Sequence, residues 1–138
     1  MIHFVKKHNL PKIKKAININ LSVCESKEDA LLLISKKIRG DSSPDLVTGC
    51  SLDALFSVMS DFFIENWLTW DDICICGWGG FSLQHPILSQ QILNLIMEAY
   101  VSGISSTLRL IEWGDIDYQS SSLLLAVTEK KPCIYVVI

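Results

Sequence analysis

Cys74 and Cys76, the adjacent carboxylates Asp71 and Asp72, and the glycines of GWGGF (residues 77–81) come nearest to a reactive set. Two cysteines two positions apart in a strand-like run present both thiols to the same face. Zinc fits them poorly, because its paired cysteines are usually separated by about two to four residues and a second pair is absent from the sequence. Asp71 and Asp72 are neighbours, so on a strand they point opposite ways and cannot form an acid/base pair. GWGGF lacks both the spacing and the lysine of a phosphate-binding loop. Neither G-x-S-x-G nor H-E-x-x-H occurs. His3, His8 and His85 show no ligand spacing with each other or with a cysteine. The expectation is therefore no enzyme, no cofactor and no metal.

Two further acids sit where helices are expected. In GCSLDALFSVMSDFF (residues 49–63) Ser51 is a good N-cap, and Leu52, Leu55, Phe56, Met59, Phe62 and Phe63 form one apolar stripe. Asp53 lies off that stripe in the first turn, where a negative charge suits the helix dipole. Glu98 falls on a second helical pattern opening at Pro86, on the outward side with Gln91 and Asn94. Leu88, Ile92, Leu95, Ile96 and Ala99 form its inward side.

The elements around these positions are legible in outline. AININLS (16–22) alternates like a half-buried strand, and SKEDALLLISKKI, from Ser26, reads as a capped helix with charges suited to its dipole. RGDSSPDLVTG (39–49) is a loop. DICICGW (72–78) is a strand ended by glycines. The helix from Pro86 is expected to stop at Gly103, with STLRLIEW (106–113) forming a strand. PCIYVVI (132–138) reads as a buried strand. The stretch before it, LLLAVTE, can be a hairpin arm or a short helix, the hairpin being favoured. The order predicts an α/β domain, a small sheet with helices packed against it and a β-rich C-terminal extension.

With 138 residues, 49% hydrophobic and 20% charged, the chain suits a single domain with an ordinary core. Its net charge of −3 argues against direct nucleic-acid binding. No apolar run is long enough for a membrane span, and the lysine-rich opening lacks the apolar stretch of a signal peptide. Five cysteines, an odd number without repeated spacing, are read as reduced thiols in a cytoplasmic protein.

The run Gly49, Cys50, Ser51, Leu52, Asp53, Ala54, Leu55, Phe56 resembles the signature of the barstar family, small intracellular inhibitors of secreted bacterial ribonucleases. There a glycine, an asparagine and Leu-Asp-Ala-Leu followed by an aromatic residue open the second helix. Met97, Glu98 and Ala99, followed by Gly103 and STLRLIEW, look like the last helix of that family and the strand after it. The order strand, helix, loop, signature helix, strand, helix, strand is similar too. The resemblance covers about residues 16–113 and leaves 114–138 without a counterpart.

That resemblance implies an immunity protein that neutralises a cognate toxin, a basic nuclease, by placing acidic helix side chains in its active site. The implied partner-binding set is Gly49, Ser51, Asp53, Phe56, Ser57, Phe62 and Glu98. Asp53 and Glu98 take the places of the family's two helix acids, Phe56 and Phe62 those of tryptophans, and Gly49 and Ser51 belong to the binding loop. Several positions depart from the pattern. Ser57 replaces the strongest binding aspartate, Val47 and Thr48 replace tyrosines, and Cys50 replaces a glutamate, which suggests a different target. Glu65, Glu112, Asp115 and Asp117 would matter if the inhibitor blocked from a side surface. The free protein is expected to be a monomer or weak dimer. The alternative is a regulatory or scaffolding module acting as a homodimer, with Trp67, Trp70 and Trp78 as contact candidates.

Overall fold

A computed structural model describes residues 2–13, 15–40, 51–65, 71–112 and 133–138, with backbone alone at 65, 104 and 106–112. Its strands are β1 (Ile2–Val5), β2 (Ala16–Asn20), β3 (Asp72–Cys76) and β4 (Ile134–Val137). They form one parallel sheet in the order β1-β4-β3-β2. The helices are α1 (Lys27–Arg39), α2 (Leu52–Glu65), α3 (Trp78–Gln84) and α4 (Pro86–Glu112). The chain is thus mixed α/β.

Alternation along the strands sends Ile19, Ile73, Ile75, Ile134 and Val136 to one face, where all five are buried. Against that face pack Leu31 and Ile34 of α1, Leu55 and Met59 of α2, Phe81 of α3 and Ile92 and Ile96 of α4. Local chemistry explains the helix starts. Ser26 Oγ accepts the Asp29 N–H at 3.2 Å, and Ser51 Oγ accepts the Ala54 N–H at 3.0 Å. Pro86 is the first residue of α4, where its missing N–H costs nothing.

Three expectations change. The strand expected at 106–113 is helix through Glu112, because Gly103 does not stop α4. Instead Gly103 lies against α2, and a β-carbon there would stand 2.6 Å from Phe63 Cβ. Gly77 ends β3 as expected, but the glycines after it start α3. The terminal strand is no appended extension: β4 pairs with both β1 and β3, inside the sheet. Its start is fixed by Asp72, buried at the head of β3, whose carboxylate accepts the Cys133 N–H at 2.8 Å. Strand β1 is an element the sequence pattern did not reveal. The stretch read as hairpin or helix, residues 118–130, lies outside the described residues.

The core also holds a polar atom at odds with its surroundings. The Tyr100 ring packs edge-on against Phe63, centroids 5.1 Å apart, and its hydroxyl is buried with no hydrogen-bond partner among the described residues. An unsatisfied buried hydroxyl costs about 1–3 kcal/mol. Tyr100→Phe is therefore expected to stabilise the fold by about 1 kcal/mol, read as a higher urea midpoint. Burial also raises the Tyr100 phenol above its ordinary value, with Cys133 adding to the shift. A group whose proton is held more tightly in the folded chain contributes stability that is lost as pH climbs past its unfolded value. Tyr100→Phe should accordingly flatten the fall in stability above about pH 10.

Candidate functional site

Helices α2 and α4 pack extensively together, and a cavity of about 420 Å³ opens between them. Leu52, Asp53 and Phe56 line it from α2; Gln91, Asn94, Leu95 and Glu98 line it from α4. These sets follow helical spacing, so each is a single stripe on its helix. Their chemistry is layered. Leu95 is buried and Leu52 and Phe56 half-buried, giving an apolar floor, whereas Asp53, Gln91, Asn94 and Glu98 are exposed. Neither carboxylate is ion-paired among the described residues, so the groove presents uncompensated negative charge. A cation with an apolar stem suits it: the charge meets Asp53 and Glu98 while the stem covers Phe56.

The implied partner-binding residues divide under the structure. Asp53, Phe56 and Glu98 come together in the groove. Ser57 is exposed one turn beyond Asp53, and its hydroxyl donates to the Asp53 carbonyl at 3.3 Å, so it does not line the cavity. Ser51 caps α2. Phe62 is a correction: only 8% exposed, it belongs to the core, its ring edge-on to Phe63 at 5.4 Å. Its neighbours on the apolar stripe draw it inward. Trp78 is likewise buried, 6.0 Å from Phe81, and offers no exposed contact.

Gly49, Trp67, Trp70, Asp115 and Asp117 lie outside the described residues, as do the side chains of Glu65 and Glu112. Gln91 and Asn94 join the site without having been assigned to it. The available signal was their shared outward face with Glu98.

The adjacent acids diverge as strand geometry requires: Asp71 meets Lys15 Nζ at 3.3 Å while Asp72 turns inward. Among the described residues no group of three or more His, Cys, Asp or Glu side chains could hold a metal ion, and no helix is long and apolar enough to cross a membrane. No protein-family model matches the chain, and neither curated proteins nor solved structures yield a match.

Proposed function

We propose that this chain is a barstar-like immunity protein, which binds and neutralises a cognate bacterial toxin with a basic nuclease site. The observation that carries the reading is the meeting of Asp53 and Glu98, distant in sequence, on one exposed groove over an apolar floor. From β2 to α4 the run β2, α1, α2, β3, α4 also follows the order the resemblance implies, with α3 added, but the strand implied after the last helix, at 106–113, is helix instead. Cationic side chains of the toxin enter the groove, and complementary charge speeds encounter and selects the partner.

Asp53→Ala and Glu98→Ala are each expected to weaken the complex by about 2 kcal/mol, roughly 30-fold in Kd. Calorimetry with the toxin domain, paired with protection of toxin-expressing cells, measures both effects. Unchanged affinity and protection in the double variant would end the reading. A scaffolding homodimer is the second reading. It draws on Met97 and Val101, exposed one turn apart on α4 beside Glu98. Light scattering on the free protein distinguishes it.

A further inference from the structure

On the sheet face opposite the helices, Asn18, Cys74, Tyr135 and His3 form one in-register row across the four strands. Cys76 follows Cys74 on the same face, and their sulfurs stand 3.8 Å apart. This is contact distance, short of the roughly 2.05 Å of a disulfide by less than two ångströms. The two sulfurs are unequal in access: Cys74 is 1% exposed, whereas Cys76 is only half-buried. They are unequal in restraint as well. Cys74 pairs with Asn18 on one side and Tyr135 on the other, whereas Cys76 pairs only with Asn20, at the end of the strand.

We propose that Cys74 and Cys76 form a peroxide-reactive dithiol that closes reversibly to a disulfide within β3. The Cys76 thiolate attacks one oxygen of hydrogen peroxide. The O–O bond breaks, hydroxide leaves and takes up a proton as water, and Cys76 becomes a sulfenic acid. The Cys74 sulfur then attacks the Cys76 sulfur, the S–O bond breaks, and a second water departs with the Cys74 proton. Two thiols and one peroxide thus yield one disulfide and two waters. Burial, then the neighbouring Cys76 thiol, raises Cys74 to about 11, which leaves the first attack to Cys76.

Closure must draw the end of β3 inward against the Asn20 pair. The next residue, Gly77, cannot easily follow, since it lies tight against Ser22. The bond is therefore strained, and strained disulfides are the readily reduced ones.

Chymotryptic cleavage after Trp70 and Trp78 releases DDICICGW (71–78), which holds both cysteines and no other. After brief treatment of the full chain with a few-fold excess of hydrogen peroxide, this peptide should lose both alkylation sites and two hydrogens of mass. Reduced glutathione should restore both. In a Cys74→Ala variant, Cys76 should instead accumulate as a sulfenic acid captured by dimedone. The proposal is overturned if both thiols still alkylate, or if Cys76 proceeds to sulfinic acid in the parent chain while Cys74 remains alkylatable. Capture of Cys76 by dimedone at the same level in parent and variant would overturn it too, because no resolving step would then operate.

Discussion

Gly103→Val lowers the stability of this protein by about 3 kcal/mol, an effect at the upper end of overpacking. A β-carbon at Gly103 would stand 2.6 Å from Phe63 Cβ and 3.3 Å from the Phe63 carbonyl carbon. Both atoms belong to or adjoin the α2 backbone, so no rotamer change moves them away and the helices must separate. Trimming Phe63 to alanine brings no relief, because the atom struck is retained. The alanine variant decides the cause. Were Gly103 merely a weak point in α4, Gly103→Ala would stabilise by about 1 kcal/mol through helix propensity. The close approach predicts the opposite sign. Urea midpoints of parent, alanine and valine variants measure the series, and stabilisation by alanine would refute the packing account. Because α2 and α4 also bear Asp53 and Glu98, a folded Gly103→Ala variant should bind the proposed toxin more weakly as the groove widens.

Gly77→Ala costs a similar amount, about 3 kcal/mol, for two separable reasons. Gly77 has φ 74°, a left-handed conformation that costs residues with a β-carbon about 1–2 kcal/mol. The added carbon would also stand 2.7 Å from the Ser22 amide nitrogen and 3.1 Å from Asn20 Oδ1. Those atoms already bond each other: Asn20 Oδ1 accepts the Ser22 N–H at 3.1 Å and the Ser22 hydroxyl at 2.7 Å, closing the turn after β2. Asparagine tolerates left-handed backbone far better than alanine yet carries the same β-carbon. If φ alone mattered, Gly77→Asn would recover most of the loss. The contact with Ser22 predicts that asparagine is about as damaging as alanine, and thermal midpoints of the two variants settle the difference.

The parts readable in the sequence were those governed by near neighbours. Ser26 and Ser51 cap helices because a hydroxyl needs only the N–H three residues on, and Pro86 opens a helix because its own ring fixes φ. The inward faces of α1, α2 and α4 follow from spacing, since apolar residues three and four apart share a stripe wherever the helix sits. The placement of Asp53 and Glu98 off those stripes was local information too. The tertiary structure decided everything that depends on a distant partner. A four-residue run such as Ile2–Val5 becomes a strand only because β4, at the other end of the chain, supplies its hydrogen bonds. Gly103 reads as a helix stop until α2 is laid across it, and then STLRLIE is helical through its last residue. Phe62 could have faced a partner or the core, and the assembled core of sheet and helices took it in. The groove itself is invisible along the chain, because two exposed carboxylates become one site only when their helices lie side by side.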